Sequence, residues 1–269
     1  MRFLLIILFY LISHIGFGQA VDKNLQIIVT DSLKIDADSF IGTDPFKNIY
    51  YLKDDILYKK SLDTTLTFKT VSLGKIASVD IKNPLKILVF YNDFNAVVLL
   101  DNNLNKLGEN ILFDQSALNL NITYAQWAGG EKLWLYSNDD NRLHVFDYIS
   151  NKVIESSRPL NFYQKNFSPI YMISSYKNCW LVGKNYVLEF DEYGYFKSIL
   201  ELDKTDLLRR YNNNFYTVKE NSLFKGKLLG NLKKFELKIP IPIQSFYVLN
   251  NEIYIFDGKM TFIYKEINH

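Results

Sequence analysis

The sequence predicts an all-β fold built from one repeated four-strand unit, and three observations predict it. A short cassette recurs six times, mostly apolar, with an aromatic usually second and a polar turn at its end. The copies begin at Ile49, Ile87, Leu133, Cys179, Phe215 and Ile253, reading IYYLKDD, ILVFYND, LWLYSND, CWLVGKN, FYTVKEN and IYIFDGK. They return after 38, 46, 46, 36 and 38 residues, close to the period of roughly 40 residues that marks four-stranded repeat units. Each cassette is also followed, after a short polar turn, by a second apolar run, and such pairs read as β-hairpins. Finally, the runs are apolar at consecutive positions, as in Ile87-Leu88-Val89-Phe90 and Val97-Val98-Leu99-Leu100. An open sheet with one wet face alternates instead, so both faces of each hairpin are covered.

Taken in order, the unit is a-b-c-d, with the cassette as strand b. Candidate a strands precede the cassettes at Ser39 to Thr43, Ile76 to Ile81, Thr123 to Trp127, Ile170 to Ser174 and Gln244 to Leu249. The c strands follow at Ile56 to Tyr58, Ala96 to Leu100, Leu143 to Phe146, Tyr186 to Phe190, Ser222 to Phe224 and Thr261 to Tyr264. Turns opening on Asp63, Asp101, Asp147 and Asp191 lead into strand d, because an Asp carboxylate accepts hydrogen bonds from backbone amides two residues on. Lys204 to Arg210 has room for at most one helical turn.

Units covered on both faces satisfy themselves by stacking radially, which is a β-propeller. After Pro242 only three strands remain, while Leu25 to Ile35 is a spare strand ahead of the first unit. A six-bladed β-propeller follows, its N-terminal strand completing the last blade and removing free edges. The blades are expected at 36–74, 75–113, 120–159, 167–202, 206–239, and 242–269 with 24–35. Across residues 19–269, taken as a single domain, the chain resembles six-bladed TolB-like or NHL-type propellers. The Trp-Asp and Gly-His signature of WD40 blades and a repeated metal-binding Asp box are missing, so no functional residue carries over from a named family. An outer-membrane barrel needs longer, alternating strands, and a β-sandwich is the other competitor.

The first residues bear on compartment. Arg2, the apolar run Phe3 to Ile12 and then Gly16-Phe17-Gly18 have the layout of a secretory signal peptide over residues 1–18, with cleavage after Gly18 or Ala20. The run is too short to span a bilayer as a helix. An exported protein is expected, in the periplasm or associated with the outer membrane, with no transmembrane segment in the mature chain. The abundance of Lys, Asn, Ile, Tyr and Phe, together with the Gly-Phe-Gly-Gln leader ending, resembles exported proteins of the Bacteroidota. Cys179 is the single cysteine and reads as a small buried hydrophobe. With 31 basic against 29 acidic residues, no nucleic-acid footprint is expected.

Catalytic motifs are sparse. Past the leader the histidines are His144, in the middle of a c strand, and His269, so neither a zinc site nor a nucleophile with a credible base is expected. The turn Asn138-Asp139-Asp140-Asn141 has oxygen ligands but lacks the Gly and distal Glu of an EF-hand loop. No metal and no cofactor are predicted. Two features point to binding. The longer connections Phe113 to Ile122 and Leu160 to Phe167 both join a d strand to the next a strand and so emerge side by side. The second carries Phe162, Tyr163 and Phe167, which are candidates for a partner-binding anchor or, alternatively, a plug folded into the channel mouth. Polar residues on the a strands, Asp80, Gln126, Arg209, Arg210 and Gln244, are candidates for a ligand site at that mouth, with one of the two arginines facing inward. The expected function is a non-catalytic envelope propeller that binds other envelope proteins as an accessory or scaffold subunit, in an outer-membrane or type 9 secretion assembly. The alternative is a small-molecule binder or a hydrolase or lyase acting at the channel mouth.

Overall fold

The computed structural model describes residues 25–267 apart from 117, 203–206, 228, 230–231 and 237–240. The leader and His269 therefore lie outside the described residues. The first strand, β1 (Leu25–Lys34), is followed by β2 (Ser39–Thr43), β3 (Ile49–Lys53), β4 (Ile56–Lys60) and β5 (Thr65–Phe68), then β6 (Ser78–Asp80), β7 (Ile87–Tyr91), β8 (Ala96–Leu100) and the two-residue β9 (Ile111–Leu112). Next come β10 (Ile122–Gly129), β11 (Lys132–Ser137), β12 (Arg142–Asp147) and β13 (Lys152–Ser156), then β14 (Tyr171–Ser174), β15 (Asn178–Val182), β16 (Tyr186–Asp191) and β17 (Phe196–Glu201). The chain continues as β18 (Leu207–Tyr211), β19 (Asn214–Lys219), β20 (Ser222–Gly226) and β21 (Lys233–Glu236), and finishes with β22 (Ser245–Leu249), β23 (Glu252–Phe256) and β24 (Met260–Glu266). Among the described residues one 3₁₀ turn, Leu160–Phe162, interrupts the strands. Residues 207–210, where the sequence left room for a helical turn, belong to β18 and pair with β19.

Four sheets are four-stranded antiparallel meanders in chain order, and the fifth has eight strands in the order β18-β19-β20-β21-β1-β24-β23-β22. In that large sheet β1 lies antiparallel to β24 over seven residue pairs, from Ile27 opposite Glu266 to Lys34 opposite Met260. It meets β21 only at Leu25 and Gln26, in parallel. The N-terminal strand thus supplies the fourth strand beside β24, as expected from the three strands left after Pro242.

The first strands of the meanders gather at the centre. β10 packs on β6 and β14, β14 on β18, β18 on β22, and β22 on β2, which brings the last meander against the first. The core is divided accordingly. Each apolar cluster lies between two consecutive meanders, such as Tyr50 and Leu57 against Val89 and Val98, and Phe40 and Ile49 against Tyr254 and Phe256. This is why β7, β8 and β23 are buried at every residue: each meander has a neighbour on both faces. Burying one such Leu, Val or Phe side chain contributes about 1.5–3 kcal/mol.

Turn chemistry pins the register. Asp101, Asp147 and Asp191 each accept hydrogen bonds from two backbone amides in their turns. Asn95 and Asn221, both in the left-handed region, reach forward from the β7–β8 and β19–β20 turns to clamp the chain entering the next meander. Asn95 Nδ2 donates to the Leu120 carbonyl and its Oδ1 accepts from Ile122 N. Asn221 repeats the pair with Ile241 and Ile243. Gly42 is required where it stands, since its φ is +152° and a Cβ there would sit 2.6 Å from the Tyr247 ring.

Candidate functional site

Three surfaces hold the residues that carry chemistry. The first is the connection from β13 to β14. Its 3₁₀ turn places Phe162 outward, 64% exposed, with the Arg158 guanidinium 4.4 Å above its ring. Tyr163 turns inward, stacked 4.3 Å from Phe196 and edge-on to Phe190, while its hydroxyl accepts from Arg158 N. Phe167 is buried against Gly183, so close that a Cβ there would lie 2.7 Å from the ring. Leu160 and Phe167 belong to the core cluster between the third and fourth meanders. Of the three aromatics Phe162 alone is presented to solvent. The other two neither plug the centre nor face outward: Tyr163 seats the turn on β16 and β17, and Phe167 on Gly183 just after β15.

The second surface is formed by the central strands. Asp80 Oδ2 accepts from Trp127 N at 3.0 Å and pairs with Lys82, whose ammonium donates to Ser174 Oγ at 2.8 Å. Ser174 Oγ in turn donates to the Trp127 carbonyl. This network joins β6, β10 and β14, so the Asp80 carboxylate is consumed in holding three meanders together. Gln126 does similar work, its Nε2 donating to the Met172 carbonyl at 2.7 Å. Gln244 is drawn to the adjacent hairpin, where its Oε1 occupies the space a Cβ on Gly258 would need.

The two arginines divide as alternating strand residues do. Arg210 lies between meanders, its guanidinium 4.2 Å from the Phe215 ring and 5.2 Å from Trp180. Arg209 faces the other way, toward Tyr171 of β14 and Tyr247 of β22, and burial pushes its guanidinium down while the two phenols oppose that. Its Nη1 donates to the Leu208 carbonyl at 3.1 Å.

The third surface is the face made by the turns between first and second strands and between third and fourth strands. Phe46, Leu62, Leu85, Ile149, Tyr176 and Tyr193 all sit at its turn tips with their side chains exposed. At its edge a pocket of about 110 Å³ is lined by Asp44, Lys47, Glu252, Tyr254 and Lys265 among others. Burial raises the pKa of Glu252, but the Tyr254 hydroxyl at 2.6 Å and the two lysines more than offset this and hold it below the usual carboxylate range. Lys47 at 3.6 Å and Lys265 at 3.5 Å come from the first and last meanders, which makes Glu252 a clasp between the ends of the chain.

Other chemically interesting groups are enclosed. His144 is 3% exposed; its ring nitrogens meet Ser156 Oγ at 2.8 Å and Asp140 at 3.1 Å, and burial lowers its pKa. Cys179 is fully buried, which pushes its thiol far up. Among the described residues no cluster of three or more His, Cys, Asp or Glu is placed to hold a metal, and no helix is long and apolar enough to cross a membrane.

No protein-family model matches the chain, and no curated protein sequence matches it. Solved structures do. Virginiamycin B lyase from Staphylococcus aureus superposes with a TM-score of 0.60 at 11% identity, covering 90% of this chain and 100% of that one. The Pan2 WD40 domain of Neurospora crassa gives 0.56 at 12% identity, covering 87% and 76%. BamB from Moraxella catarrhalis gives 0.52 at 10% identity, covering 89% and 99%. Likeness at this identity establishes the architecture, and the fold is a β-propeller.

Proposed function

We propose that the two halves of the eight-stranded sheet are separate blades, making six, and that this propeller is a non-catalytic, exported subunit that binds other envelope proteins. The observation that carries the binding reading is the apolar face. It bears about twice as many exposed large apolar side chains as the opposite face, including Phe46 at 70%, Leu62 at 102%, Leu85 at 65% and Ile149 at 70%. Exposed apolar side chains concentrated on one face in this way support an interaction surface there. The envelope setting, periplasm or outer membrane, rests on the leader over residues 1–18 and on the Bacteroidota-like composition, for which an outer-membrane or type 9 secretion assembly is the natural employer. The non-catalytic reading is supported by His144 and Cys179, the histidine and cysteine among the described residues, since both are packed away from solvent.

A second docking surface is favoured by the Arg158–Phe162 stack on the opposite face, because exposed aromatic and arginine side chains are common interface anchors. In this reading Phe162 makes the contact while Tyr163 and Phe167 hold its turn in place. A photo-crosslinking residue placed at position 85 or at position 162 in the native host separates the two. An adduct with an envelope protein from position 85 is the expected result. An adduct from 162 alone moves the interface to the other face, and adducts from neither position overturn the binding reading.

A further inference from the structure

Among the described residues, the centre of the propeller holds a cation without a counterion. Arg209 lies on β18 between β14 and β22, and among the described residues no carboxylate is within ion-pair reach of it. Its neighbours contrast with it in this respect. Asp80 has Lys82, Glu252 has two lysines, and Arg210 has the faces of Trp180 and Phe215. The Arg209 side chain is half-buried, and its bond to the carbonyl of the preceding residue satisfies one of five donors, which leaves the rest of the fork open to a ligand.

The groups around Arg209 are donors. The Tyr171 hydroxyl accepts from Leu208 N at 2.9 Å, which leaves its own proton free to point away. Tyr247 makes no hydrogen bond through its hydroxyl among the described residues, and its ring is fixed in place by the bare backbone of Gly42. A guanidinium fork beside two phenol donors is the complement of a planar oxyanion. We propose that Arg209, Tyr171 and Tyr247 form an anion-binding site in the central opening that takes the carboxylate of a small organic acid. One guanidinium charge matches one carboxylate. A phosphate dianion would carry a second charge into a region where Tyr247 already feels Asp80 and Asp44.

This site lies apart from the docking faces and stands whether or not they bind a partner. Isothermal titration of the full chain with acetate, benzoate and succinate at constant ionic strength, with inorganic phosphate as comparison, tests it. Saturable binding of at least one carboxylate is expected. Tyr247→Phe should weaken it about ten-fold, the effect of one hydrogen bond to a charged group, and Arg209→Gln should abolish it. Arg210→Gln should leave it unchanged. Tyr247→Phe serves even if Arg209→Gln does not fold. Absence of carboxylate binding, binding of phosphate alone, or carboxylate binding undiminished in Tyr247→Phe would overturn the assignment.

Discussion

His144 shows how a single buried residue links packing to pH. Its neutral ring donates from one nitrogen to Asp140 and accepts from Ser156 at the other, and burial lowers its pKa below the ordinary 6.5. The unfolded chain therefore takes up a proton near pH 6.5 that the folded chain declines. Stability tied to this group is fully present above pH 6.5 and falls as pH drops from there toward the lower folded value. His144→Gln removes the titration. The difference in urea midpoint between native chain and variant should shrink from pH 7.5 to pH 5.5, and a constant difference would show that the ring charges equally in both states. Residue identity alone was informative at this scale for Cys179, His144 and the alternation of Arg209 with Arg210. Which arginine faces the centre was not legible, because alternation fixes opposite directions without saying which is which.

Among the elements, β1 is the test of closure. Only Ile27 of its alternating apolar residues is deeply buried, at 1%, whereas Ile28 is 40% exposed. Ile27→Ala should cost about 2–4 kcal/mol and Ile28→Ala about 0.5 kcal/mol or less, both read from denaturant unfolding. Equal small effects would mean that β1 does not seat on β24. The strands were readable in the sequence because blade-facing hairpins are apolar on both sides, and the a strands emerged within a residue or two. The beginning of β18 was harder to read: Leu207-Leu208-Arg209-Arg210 mixes buried and charged residues at helical as well as strand spacing. Its identity is settled by pairing with β19, a tertiary fact.

On the scale of the whole molecule, position in the ring decides what exposure means. Leu62 and Leu104 both lie in turns between third and fourth strands, yet Leu62 is 102% exposed and Leu104 only 4%. An isolated apolar residue in a polar turn has no periodicity, so the apolar face could not be read before the turns were brought together. The aromatic-rich connection at residues 160–167 drew attention instead, and two of its three rings proved to be packing. The central claim is that the propeller docks an envelope protein through its apolar turn face. The most direct measurement is affinity purification of the tagged chain from native host membranes, compared with a Phe46→Asp, Leu85→Asp, Ile149→Asp variant and read by quantitative mass spectrometry. The account predicts near-stoichiometric recovery of an envelope protein with the native chain and its loss, about ten-fold or more, with a variant that remains folded. Recovery of a lone chain, or equal recovery of the same protein with the variant, would contradict it.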